Sequence, residues 1–170
     1  MRMDRLTTAA QQVLAEAQTV AASRSHSEVG GLHILAALLG EENGAAGLIL
    51  GRCGVTPKLV LATVERDLGR QPTVSSGAGQ TGRALVEILG KADAAARKLE
   101  DQYVSTEHLL LALAEVDGPA RALLTGAGAT KARLLEAIRH VRKESGVSHV
   151  TDPNAEGQYE ALKKYAIDLT

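Results

Sequence analysis

The feature that most constrains this chain is that it says nearly the same thing twice. "VGGLHILAALLG" from Val29 returns as "VSTEHLLLALAE" from Val104, and sliding the sequence on itself by 75 residues aligns Ala9–Leu39 with Ala84–Ala114. Leu14 then meets Leu89, Ala17 meets Ala92, Ala21 meets Ala96, and His33 meets His108. After a one-residue gap the offset is 74, and "LILGRCGVTPKLVLATV" lies on "ALLTGAGATKARLLEAI", with Gly54 on Gly128 and Thr56 on Thr130. A chain of 170 residues holding two such copies is built from two similar units.

Each unit reads as four helices. Leu6, Ala10, Val13, Leu14, Ala17, Val20 and Ala21 recur at three- and four-residue steps and form one apolar stripe; Leu85, Ile88, Leu89, Ala92, Ala96 and Leu99 form its counterpart. Short second helices start near Gly31 and at Thr106, with Ser105 as an N-cap for exposed N–H groups. Third helices run from about Ala45 and from Pro119 and are stopped by Gly51, Gly54, Gly126 and Gly128. Thr56-Pro57 and Thr130 open the fourth helices. With no Phe or Trp and three Tyr, the core has to be built from Leu, Ala, Val and Ile. The predicted fold is therefore all-α, two tandem four-helix repeats related by a pseudo-twofold axis. Residues 1–70 and 82–143 are the repeats and 71–81 their connection. "ESGVSHVTDPNAEGQ" (144–158) reads as a flexible linker, because so polar a stretch cannot bury a core. A short amphipathic segment, 159–170, follows.

Several function classes are excluded on composition. The net charge is −1 and no Lys/Arg run forms a stripe in the sequence, so nucleic acid is not an expected partner. The apolar run around Leu109–Ala114 is too short to span a bilayer, and the N-terminus has no signal-peptide core, so no membrane is expected either. One cysteine fits a reducing compartment, and the expected location is cytoplasmic. Phosphate-loop, nucleophile-elbow and zinc-protease motifs are absent. An enzyme would have to use His33, His108 or Cys53. No ligand set of the right spacing surrounds either histidine, so no metal is expected, and both read as first-turn helix residues bonded within their units. Cys53 reads as a small core residue, its counterpart being Ala127.

The tandem unit with "STEHLLLAL" resembles the Clp N-terminal domain found at the front of Clp/Hsp100 unfoldases. The ends, "MRMDRLT" and "ALKKYAIDLT", are similar to the ClpB-type branch, ATP-driven disaggregases that work with the Hsp70 system. The resemblance implies a non-catalytic domain that engages unfolded or aggregated polypeptides and passes them to ATPase rings. Those rings, with their ATP and magnesium, would follow Thr170. It further implies a monomer in isolation and a hexamer in the full-length protein. The site residues it implies are Thr7, Asp101 and Glu107 at the rim of a shallow groove near the junction of the halves, with Tyr103 between the two acids as an amphipathic contact. Elementary chemistry also gives Thr7 an N-cap role and Glu107 a helix-dipole role. The groove floor departs from the family pattern, with Lys91 and Ala95 where larger apolar residues are usual. The alternative is an adaptor-docking N-domain of a protease-coupled Clp unfoldase.

Overall fold

The computed structural model describes residues 3–41 and 44–159. Its helices are α1 (Thr8–Ser23), α2 (Gly31–Gly40), α3 (Ala45–Arg52) and α4 (Pro57–Leu68), then α5 (Arg83–Lys98), α6 (Thr106–Glu115), α7 (Pro119–Gly126) and α8 (Lys131–Ser145). The mostly helical fold of two four-helix repeats is as the sequence predicts.

The long first helices bury the expected stripe, through Ala10, Val13, Ala17 and Ala21 on α1 and Ile88, Ala92 and Ala96 on α5. Alanine there lets α1 lie close on α2, and α5 close on α6. Past their polar first turns, helices α2 and α6 are apolar and buried on every side, which is the mark of a helix wrapped by others. Leu32, Ile34, Leu35 and Leu38 on α2 and Leu109, Leu110, Leu111 and Leu113 on α6 are all buried. The halves clasp each other reciprocally: α3 packs on α8, and α7 packs on α4. Left-handed glycines, Gly54 at φ +76° and Gly128 at φ +94°, follow α3 and α7. Gly51 and Gly126 are inside those helices rather than beyond them.

Two short parallel contacts across the halves carry no helical signal in the sequence. Strand β1 (Glu28–Val29) pairs with β2 (Gln80–Thr81), and Leu6 pairs with Val104. The 75-residue offset carries Leu6 to Thr81 and Val29 to Val104, so each unit lends its leading residues to the other. The pair at Leu6 is held by Thr7 N–H to the Val104 carbonyl (3.0 Å) and Val104 N–H to the Arg5 carbonyl (2.7 Å).

The expectation of a flexible linker over 144–158 is corrected. Helix α8 continues to Ser145, Gly146 at φ +76° closes it, and the chain turns back onto the body. Val150 and Tyr159 are fully buried and Ala155 nearly so. The backbone is tied by Gln102 N–H to the Val150 carbonyl (2.8 Å) and Thr8 N–H to the Pro153 carbonyl (2.8 Å). A few apolar residues spaced among glycines and polar side chains suffice, because the body already supplies the rest of the pocket. Apart from Tyr159, the predicted segment 159–170 lies outside the described residues.

Candidate functional site

The two repeated histidines are scaffold, and they work in the same way in each half. His108 is the third residue of α6, and its Nδ1 accepts the Ser105 N–H (2.8 Å), closing the helix start. The Ser105 hydroxyl also turns to that nitrogen (2.9 Å) instead of to a helix N–H, so the predicted cap is made by the histidine. With Nδ1 accepting, Nε2 carries the proton and donates to Asp101 Oδ2 (2.7 Å). In the first half, Gly30 N–H donates to His33 Nδ1 (2.9 Å) and His33 Nε2 meets His26 Nδ1 (2.8 Å). His26 and Asp101 occupy the same repeat position, seven residues before the histidine. Burial, then the neighbouring His26 and Arg24, lowers His33 to about 4. His26 is lowered too, by burial first and then by Arg24.

Asp101 and Glu107 do not stand at a solvent-facing rim. Asp101 is 5% exposed and Glu107 is fully buried, and both are taken up by Arg142 from the last turn of α8. Its guanidinium donates to Asp101 Oδ1 (3.1 Å) and Oδ2 (2.7 Å) and to Glu107 Oε1 (2.6 Å). The planar fork of arginine suits a carboxylate bidentately, which is why this cation and not a lysine fits here. Burial by itself would raise Asp101, but hydrogen bonds from His108, Arg142 and the Val150 N–H outweigh it and hold the carboxyl at about 2. Asp101, Glu107 and His108 also present oxygen and nitrogen atoms close enough to surround a metal ion. The Arg142 guanidinium already fills that charge-neutralising role, so a metal would have to eject it.

Thr7 is buried and caps α1, accepting the Ala10 N–H (3.1 Å). Its hydroxyl donates to Glu156 Oε2 (2.7 Å), which also accepts the Thr106 N–H at the start of α6 (2.9 Å). Burial pushes the Glu156 carboxyl up, against the hydrogen bonds from Thr7 and Thr106 that pull it down. Tyr159 donates its hydroxyl to Glu107 Oε1 (3.3 Å). Thr7, Asp101 and Glu107 thus belong to one buried polar seam beneath residues 147–159. Tyr103 is half-buried beside it and makes none of its hydrogen bonds. A polypeptide reaching these carboxylates would have to displace Arg142 and the returning segment.

A groove of about 320 Å³ opens in this half between α5, α6 and α8. Ala95, Leu99, Leu111 and Leu135 form its apolar floor and walls, and Lys91, Lys98, Lys131 and Arg139 stand around it. Arg142 is one turn beyond Arg139 on α8, so the buried seam and the groove share that helix.

A family model described as the Clp repeat N-terminal domain matches residues 5–152. The chain belongs to that family. As a Clp N-terminal domain it is 39% identical over 170 residues to the chaperone protein ClpB of Rhodopirellula baltica, an alignment covering 99% of this chain and 19% of that protein. The chain therefore spans about one-fifth of the length of the curated relatives it matches. Among solved structures, the Hsp104 N-terminal domain from Candida albicans superposes with a TM-score of 0.75 at 22% identity, covering 89% of this chain and 98% of that one. The N-terminal domain of ClpD, a caseinolytic protease associated chaperone from Arabidopsis thaliana, gives 0.63 at 23% identity over 82% and 98%. At such identities these structures establish the Clp N-domain fold and nothing finer. Among the described residues no single helix is long and apolar enough to cross a membrane.

Proposed function

We propose that this chain is the substrate-engaging N-terminal domain of a ClpB-type disaggregase, catching unfolded or aggregated polypeptide and handing it to ATPase rings that follow it in a full-length, hexameric protein. The observation that carries the reading is the open groove between α5, α6 and α8, an apolar floor on the face of a domain whose sequence relatives are ClpB chaperones. An extended chain presents unburied apolar side chains at irregular spacing, and a shallow apolar trough accepts them without demanding a sequence. Asp101, Glu107 and Thr7 take part by positioning: through Arg142 and Glu156 they hold α8 and the returning segment against α6, which sets the groove's far wall. Tyr103 adds amphipathic surface beside them. Nothing in the proposed role needs catalysis by this domain; ATP and magnesium belong to the rings, and the Hsp70 system acts on the full-length protein.

The test is an NMR titration of the chain with a permanently unfolded protein, with a folded protein as control. Shifts clustering at Ala95, Leu99, Leu111 and Leu135 for the unfolded chain alone are expected. Silence in the groove with the unfolded chain would overturn the proposal. Shifts with a folded partner instead would favour docking of an adaptor, the reading that the shared fold with the protease-associated ClpD domain keeps in view.

A further inference from the structure

The repeat supplies a built-in comparison for the groove. A second groove, of about 530 Å³, lies between α1, α2 and α4 in the first half. Six of its lining positions map onto those of the first by the repeat offsets, among them Val20 onto Ala95, Ala36 onto Leu111 and Leu61 onto Leu135. At these shared positions the apolar side chains stay apolar while two charges invert. Glu16 becomes Lys91 and Glu65 becomes Arg139. The two troughs are the same architectural feature wearing opposite electrostatics.

Neutralisation differs as well. In the first half Arg24 pairs with Glu65. The repeat position of Arg24 is Leu99, so Arg139 faces an apolar wall where its counterpart has an ion-pair partner. Glu115 serves Lys131 (3.1 Å) and lies 3.9 Å from Lys91, and it has Gly40 as its counterpart. Four cations thus surround the α5/α6/α8 groove with one carboxylate among its lining residues. Among the described residues Lys98 and Arg139 have no carboxylate partner. Exposed, uncompensated cations above an apolar floor attract segments that bring both features, and at physiological salt screening removes most of that attraction beyond about 8 Å.

We propose, resting on the reading above, that the α5/α6/α8 groove selects extended polypeptide segments whose apolar side chains are flanked by Asp or Glu. The acidic residues meet Lys98 and Arg139 while the apolar ones settle on Leu99, Leu111 and Leu135. Segments with the same apolar centre and Lys or Arg flanks are repelled at this groove.

Two synthetic peptides with one shared apolar core, one flanked by Asp/Glu and one by Lys/Arg, test this by fluorescence anisotropy and NMR mapping on the chain. The expected result is about tenfold or tighter binding of the acidic peptide at low salt, mapping to Leu111 and Leu135, with the preference shrinking as salt rises. In the double variant Lys98→Glu, Arg139→Glu the preference should invert with the helical circular dichroism unchanged, since both side chains are exposed. Equal binding of both peptides at the groove, or tighter binding of the basic one, overturns this proposal and leaves the substrate-engaging role intact. Mapping of the acidic peptide to Val20 and Leu61 in the opposite groove also overturns it. If neither peptide binds while the permanently unfolded protein does, the charge selection is wrong; if none of the three binds, the substrate-engaging reading itself falls.

Discussion

Arg142→Met isolates what the buried seam contributes. The guanidinium neutralises two carboxylates, one fully buried and one 5% exposed, and after its removal Glu107 keeps only the Tyr159 hydroxyl at 3.3 Å. Stripping one member from a buried ionic cluster typically costs about 3–5 kcal/mol, because a charge is left without solvent or partner. With a urea dependence of about 2 kcal/mol per molar, the unfolding midpoint should fall by about 2 M, read by far-ultraviolet circular dichroism at pH 7. The sign of the pH response makes the test specific. In the parent, Asp101 is held at about 2, below its unfolded value of about 3.9, so its stabilisation is present above that value and is lost as pH falls through 2. Without Arg142 less holds the Asp101 carboxyl down, so the deficit should shrink as pH falls toward 2. Adding Glu107→Gln in the Arg142→Met background should return more than half of the lost midpoint, a non-additive recovery that a mere packing defect would not show. A midpoint within about 0.5 M of the parent at pH 7 would refute the argument, as would a deficit that ignores both pH and the second substitution.

The histidine pair also makes the fold sensitive to acid, over a higher range of pH. His33 is lowered to about 4 against an ordinary value near 6.5, so the unfolded chain takes up a proton that the native chain refuses. Stability should then fall by up to about 3 kcal/mol as pH drops from 6.5 to 4, and His33→Gln should flatten that slope; an unchanged slope would refute the assignment. Glu100 has φ +60° in the turn after α5, a conformation that costs a side chain about 1 kcal/mol or more. Glu100→Gly should stabilise by about 1 kcal/mol and raise Tm by about 2–4 °C, measured by calorimetry. In hydrogen exchange, the amides of Thr8, Gln102 and Val150 should be protected, since their partners tie residues 150–153 to the body. Fast exchange at all three would restore the mobile linker.

What the sequence made legible and what it hid divide along one physical line. The repeat carried the helices because apolar periodicity is local, and each half could be checked against the other. The seam was opaque for the opposite reason. Arg142 lies 41 residues from Asp101 and 35 from Glu107, and Glu156 lies 149 from Thr7, so no spacing announces the contacts. The polar composition of 144–158 hid Val150 and Ala155, which with Tyr159 just beyond them are buried and seat the segment. One signal was available: the offset of 75 places His26 and Asp101 at the same distance before the paired histidines, which says that both histidines have a partner there. The cations of the groove stand at 91, 98, 131 and 139, too scattered to read as a patch until α5 and α8 bring them together. Duplication reports what two halves share, which is the scaffold. A site that one half has and the other lacks must lie where the copies disagree, and Glu16 against Lys91, Arg24 against Leu99 and Glu65 against Arg139 are such disagreements around one conserved trough.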